Sequence, residues 1–180
     1  AENWLAWHEG LTSAQYFLNL NTTGAEFDNG SSGYFRGTAP NATVITMNDS
    51  SYNTSSRDYI AYCFKSVAGV CKVGTYEGNN NANGTYVNLG FTPAFFMAKN
   101  IDATGSWFII DNKRGFNSAS NEAYLQAEST ATETVGNVAD LLSDGVKWRT
   151  TGGGNASNTF IYIAMADIGG NGTLPPVYSK

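Results

Sequence analysis

Charge is scarce in this chain. Asp, Glu, Lys and Arg make up only 14% of its 180 residues, against about 25% in ordinary soluble proteins. The 10 basic residues are dispersed, with Lys113-Arg114 the one adjacent pair, and the formal net charge is −5. There is no basic stripe to neutralise phosphates, so nucleic acid is not expected as a partner. Histidine occurs once, at His8, and any Ser-His-Asp system would have to use it. The HExxH, phosphate-loop and EF-hand spacings are missing, which removes the commonest sequence signatures of metal-assisted hydrolysis, nucleotide binding and calcium binding. Long apolar runs are missing too. The longest, Phe160 to Ala166, is far short of the roughly 20 residues a membrane-spanning helix needs and reads as a buried strand. Only two cysteines occur, Cys63 and Cys71, at a spacing that matches no zinc motif. No metal, cofactor or membrane partner is expected. The chain begins with Ala and carries no charged-then-apolar leader. That suggests that Ala1 is not a translational start and that the chain is the C-terminal piece of a longer polypeptide; a permuted single domain is the alternative.

Gly, Asn, Ser and Thr fill the place that charge leaves, while apolar residues reach 42% and aromatics 13%. Such a chain can bury a core and is not disordered. Its surface should be rich in turns and uncharged polar groups, as in secreted and virion β-proteins. Eight Asn-x-Ser/Thr sequons, at Asn21, Asn29, Asn41, Asn48, Asn53, Asn83, Asn155 and Asn171, follow from that composition and carry little weight.

The chain also repeats itself. Trp4 and Trp107 are separated by 103 residues, and so are Tyr59 of YIAYCF and Tyr162 of YIAMAD. Between these anchors, Leu18 answers to Leu125, Thr23 to Thr130 and Glu26 to Glu133 at an offset of 107. The layout is a back half at 1–64, a front half at 72–101 and a second back half at 105–167, with an extended tail at 169–180. Internal repeats of this kind decide architecture. Short aromatic and β-branched runs bounded by Gly and Asn clusters read as strands: 3–8, 42–47, 58–64, 94–101, 107–111, 145–150 and 160–166. Gly84 to Phe91 alternates, with Val87, Leu89 and Phe91 on one face. Ala94 to Ile101, apolar on both faces, should be central, as should both YIA strands. Glu77 to Gly84 reads as a hairpin tip. Val135, Val138 and Leu142 hint at a helix of at most two turns ending near Gly145. The fold class is all-β: an antiparallel β-sandwich, of jelly-roll, concanavalin-like type, built from an internal duplication and spanning 1–168.

Candidate chemistry is thin. The 103 offset sets His8 against Asp111, which suits a polar strand end better than a catalytic base. The nearest approach to a paired-carboxylate pattern is Glu26-Phe27-Asp28, in a turn-rich stretch. No catalytic residues are assigned. Trp4 and Trp107, as repeat anchors, should be core tryptophans. Trp7 and Trp148 have isoleucines at the matching positions, Ile110 and Ile45, and are the two candidates for stacking on a ligand such as a sugar. Cys63 and Cys71 flank a reversal at Ser66 to Gly69 and are read either as two free buried thiols or as a cross-strand disulfide.

The stretch from Tyr59 to Gly115 holds the YIAYCF strand, a G-x-Y-x-G-N turn, a GF-x-PAF-x-x-x-K strand and a W-x-x-x-D segment. It resembles a repeat of structural proteins in tailed bacteriophages, a concanavalin-like or laminin-G-like β-sandwich of tail fibres, appendages and capsid decoration proteins. A Gly-x-x-Pro strand just before Trp4, which the resemblance would lead one to expect, is missing. The resemblance implies a non-enzymatic virion structural protein, extracellular or on the virion, with copies of itself and other virion proteins as partners. Low charge suits wet, specific contacts, and homo-oligomers, often trimers in fibres, are the default. The alternative is a lectin-like module that binds host surface polysaccharide.

Overall fold

A computed structural model describes residues 3–48, 51–114 and 123–168. The tail expected at 169–180 lies outside the described residues. Among those residues every regular element is a strand: β1 (Leu5–Ala6), β2 (Tyr16–Asn19), β3 (Phe27–Asp28), β4 (Cys71–Glu77), β5 (Tyr86–Asn88), β6 (Pro93–Asn100), β7 (Trp107–Asp111), β8 (Ala123–Gln126), β9 (Thr134–Val135), β10 (Ala139–Leu142), β11 (Gly145–Trp148) and β12 (Thr159–Ala166). All pairings between them are antiparallel.

The frame is a six-stranded sheet ordered β4-β12-β6-β7-β8-β9. Its two longest strands, β6 and β12, are apolar and pair with each other inside the sheet, with β4 covering the outer edge of β12. Successive side chains on a strand point to opposite faces, so these strands feed two cores. Phe160, Tyr162 and Ala164 of β12, with Phe96 and Ala98 of β6, face a sheet ordered β10-β11-β5. Trp148 and Val146 of β11 and Val87 of β5 close that core. Ile161 of β12 and Trp107 of β7 face the other way, onto Leu11 and Leu18 beside and within a three-stranded meander β1-β2-β3. The arrangement is sandwich-like, with the six-stranded sheet in the middle. The first core is dense in aromatics. Tyr76 and Phe160 stack at 5.0 Å, Phe96 and Tyr162 at 5.4 Å, and Phe108 meets Trp148 edge-on at 6.1 Å. Offset and edge contacts of this kind add to simple burial. Gly74 leaves room for the Tyr162 ring, since a Cβ there would come within 2.9 Å of its hydroxyl and push the side chain aside.

Several expectations meet a correction. The interval from Val135 to Leu142 holds β9 and β10 rather than a helix; the apolar spacing is too short to nucleate one, and β11 and β8 offer ladder partners instead. Glu77 to Gly84 is no hairpin tip, since β4 and β5 belong to different sheets and the loop crosses between them. Neither 42–47 nor 58–64 forms a strand, because neither has a pairing partner along its edge. Of the 3–8 run only Leu5–Ala6 pairs. Trp4, expected in the core, is 62% exposed, while Trp107 is buried.

Candidate functional site

The site begins with a segment that looks like a strand and is not one. Tyr59 to Phe64 has the β-branched and aromatic composition of β12, yet every residue from Ser55 to Val70 is exposed. Ile60 is 83% exposed and Tyr62 69%. Among the described residues none from Asp58 to Ser66 makes a backbone–backbone hydrogen bond. Its ends are held. The Tyr59 hydroxyl donates to the Ser51 carbonyl (3.1 Å) and accepts the Thr54 N–H (3.1 Å). Ser66 Oγ accepts the Val73 N–H at 3.1 Å. A tight reversal follows, in which Val67 and Cys71 exchange both backbone bonds (2.8 and 3.0 Å) around Gly69 at φ 72°. The segment is thus an extended strip with both backbone edges and both faces open. Such a strip is a template for strand addition.

The second exposed strip is 42–47. Val44 and Ile45 point outward there, and Asn41 Oδ1 accepts the Thr43 and Val44 N–H groups at 2.9 Å each in place of a ladder. Of the fourteen large apolar residues exposed among the described residues, ten lie between Trp4 and Val70 and eight of these within 1–64, so unsatisfied apolar surface gathers in the first back half. Beside it, Val73, Phe95, Met97, Ile163 and Met165 share one face of the six-stranded sheet and are only half-buried.

The two meanders correspond pair by pair. Leu5 pairs with Asn19 and Ala6 with Leu18; Phe108 pairs with Gln126 and Ile109 with Leu125. Tyr16–Asp28 and Phe17–Phe27 answer to Ala123–Val135 and Tyr124–Thr134. Every one of these positions is related by the offsets 103 and 107 read from the sequence. Local hydrogen bonds follow suit. The Trp4 N–H donates to Asn21 Oδ1 (2.9 Å) and the Trp107 N–H to Glu128 Oε2 (3.1 Å). The Leu20 N–H reaches the Trp4 carbonyl (2.8 Å) as the Ala127 N–H reaches that of Trp107 (3.3 Å). His8 Nδ1 accepts the Gly10 N–H (2.9 Å), and Asp111 Oδ1 accepts the Lys113 N–H (2.9 Å).

The residues singled out from the sequence are scattered. His8 closes a strand end: its Nε2 lies 3.3 Å from the Tyr162 carbonyl, which with the Gly10 bond fixes the neutral Nε2–H tautomer. Burial holds its pKa below the ordinary value, against the opposing pull of the Tyr162 carbonyl and Glu9. Glu26 accepts the Thr12 N–H (2.9 Å) and hydroxyl, and Asp28 accepts the Gly30 N–H (2.7 Å); each carboxylate serves its own turn. Trp148 is fully buried in the first core, and Trp7 is half-buried against Phe35 at 6.4 Å on the opposite side of the six-stranded sheet. The structure does not bring them together, and Trp148, fully buried, offers no open face to a stacked sugar. Cys63 is an exposed free thiol and not a buried one; Cys71 is free and half-buried, with burial pushing its pKa up. Among the described residues no group of three or more His, Cys, Asp and Glu could hold a metal. Two open, mainly apolar clefts are present among the described residues, one of about 340 Å³ beside Phe17 and Phe27 and one of about 280 Å³ beside Val67 and Phe91.

One organising residue escaped the sequence reading, which saw Asn155 only as a sequon. It is fully buried. Its Nδ2 donates to Asn79 Oδ1 (2.9 Å), the Asn81 carbonyl (2.9 Å) and the Thr150 carbonyl (2.8 Å); its Oδ1 accepts the Asn79 and Thr85 N–H groups (3.2 Å each). The Asn-rich crossing loop is therefore bolted to the Gly-rich turn of the second back half. Lys99 is likewise buried, donating to the carbonyls of Asn100 (2.7 Å) and Thr23 (3.3 Å). Burial lowers its pKa to about 8, with Glu128 pulling the other way.

Fold and site together define an all-β module whose most reactive feature is unpaired backbone and apolar surface rather than a chemical group. The chain belongs to the family described as Domain of unknown function (DUF7483), which matches residues 1–168. No curated protein and no solved structure matches it.

Proposed function

We propose that this protein is a non-enzymatic virion structural protein, a module of a phage tail fibre or appendage or a capsid decoration subunit, that acts by self-association and surface contacts. The observation that carries the reading is the open apolar strip Tyr59–Val70. Exposed edges and apolar patches of this kind are a liability in an isolated protein and an asset in an assembling one. The placement on a virion, and hence outside the host cell, rests on the likeness of Tyr59 to Gly115 to phage structural repeats. The fold is a sandwich of jelly-roll, concanavalin-like type that arose by internal duplication, a history supported by the one-for-one match of ladder registers at two fixed offsets. The lectin-like alternative draws no support from the burial of Trp148.

The test is intact mass analysis of the protein from its native particle, with cross-linking to count neighbours. Cross-links from Lys65 or Lys72 to another copy or another particle protein are expected. A protein recovered only as a free monomer, with no particle, overturns the reading.

A further inference from the structure

The front half supplies partners to three strands of the second back half, and the counterparts of those three in the first back half lack such partners. Within the front half, β4 and β6 flank β12, β6 also pairs with β7, and β5 pairs with β11. So three strands of the second back half, β7, β11 and β12, depend on the front half. Their counterparts in the first back half are β1, 42–47 and 58–64. β1 is a two-residue stub at a sheet edge, and the other two form no strand. The 180 residues hold two back halves and one front half.

Resting on the duplication proposed above, we infer that the first back half is a docking site for a second front half, a strand set of the same sequence type as residues 71–101. One strand of that set, equivalent to β6, would enter between the open edge of β1 and Tyr59–Phe64 and pair with both. A second, equivalent to β4, would cover the far edge of Tyr59–Phe64, and a third, equivalent to β5, would recruit 42–47. The meander β1-β2-β3 would then grow into a second six-stranded sheet. The half-buried face formed by Val73, Phe95, Met97, Ile163 and Met165 lies next to the meander, where the extended sheet would cover it as paired sheets in sandwiches do. A second intact copy is disfavoured as the source, because its own β4 and β6 are already paired with β12.

The full chain, mixed with a peptide of residues 71–101, gives the test by hydrogen exchange. Exchange at 42–47 and 59–64 should slow by ~100-fold, as expected when a solvated strip enters a ladder, with one peptide bound per chain. Ile60→Lys, at a site the isolated fold leaves exposed, should abolish that protection while leaving exchange in β6 and β12 unchanged. To guard against a peptide that fails to stay soluble, the same segment is linked covalently ahead of Ala1, with the same protection expected. Absence of protection in both formats overturns the inference. Protection that instead rises with the concentration of the chain alone, and that the peptide does not displace, also overturns it: the occupant is then a second copy, and the structural role stands.

Discussion

Residues 58–64 and 160–166 carry the same YIA motif and meet opposite fates. The second lies inside the six-stranded sheet, paired on both edges, buried on one face and at least half-buried on the other. The first is bare extended chain. The contrast extends along both back halves: Trp107 is buried and Trp4 exposed, Trp148 is buried and Ile45 exposed. Only the meanders are alike in both, and their pairings are internal to each half; the β10–β11 pairing is internal to the second half as well, but β11 is also held by β5 of the front half. A strand is a property of a pairing, and local composition fixes only readiness for one.

The strongest way to sharpen this contrast is to truncate the same repeat position in each half. Trp148→Ala empties a fully buried indole site ringed by Tyr76, Phe96 and Phe108. A loss of about 3–5 kcal/mol is expected in denaturant unfolding. Ile45→Ala, its counterpart, should stay within about 0.5 kcal/mol. If the two losses come out alike, the halves are equally packed in solution and the contrast fails.

Next in size is Asn155→Ala. The substitution leaves the Asn79 and Thr85 N–H groups and the Asn81 and Thr150 carbonyls without their buried partner. Orphaned buried groups cost about 1–3 kcal/mol each before relaxation and water entry, so a net loss of about 2–4 kcal/mol is expected, with faster exchange confined to the crossing loop and the turn at 150–155. The position 103 residues earlier is Tyr52, whose hydroxyl donates to the Asn3 carbonyl at 2.9 Å. Tyr52→Phe should cost less than about 1 kcal/mol.

Lys99 ties the halves together, since it donates to Thr23 of the first from a strand that pairs with the second. Its pKa falls from an ordinary 10.5 to about 8 in the fold. Between these values the unfolded chain binds the extra proton, so stability should rise with pH from about 8 toward 10, by at most about 1.4 kcal/mol per pH unit. Cys71, whose pKa burial raises from an ordinary 9.0, opposes this rise from about pH 9, and above pH 10 the trend reverses, because burial raises the pKa of Tyr76 and Tyr162 as well and the folded state then holds the protons. Unfolding of Lys99→Met across this range should lose the rise and keep the fall. A slope that survives the substitution assigns the effect to another group.

What the sequence disclosed, and what it hid, follows the same line. β6, β7 and β12 were legible because apolar residues occupy both faces of each strand. The meander correspondence was legible as an offset, since like residues at like spacing make like registers. Two features lay beyond local reading. The failure of Tyr59–Phe64 to form a strand depends on which other strands are present, and its own letters favour one. The Asn155 hub depends on a loop arriving from 70 residues away, and a lone Asn beside glycines has no pattern to announce that. The apolar triplet at Val135, Val138 and Leu142 shows the converse: a periodicity over eight residues carries little against available ladder partners.

The smallest expected effect addresses the likeness of the halves rather than their difference. His8 and Asp111 stand at matching strand ends, and each accepts the N–H two residues on. If that acceptor is what the position requires, His8→Asp should keep the turn at Gly10 and lose only the contact to the Tyr162 carbonyl, for a cost below about 1 kcal/mol. His8→Leu, which removes the acceptor as well, should cost more than His8→Asp. The pH response separates the two roles further. With its pKa depressed by burial, His8 disfavours its own protonation in the fold, so stability in the natural chain should fall as pH drops below the ordinary value of 6.5. The Asp variant should lose the part of that fall due to the imidazole. Were His8→Asp as damaging as His8→Leu, the imidazole itself would be the requirement, and the matched strand ends would be a coincidence of spacing.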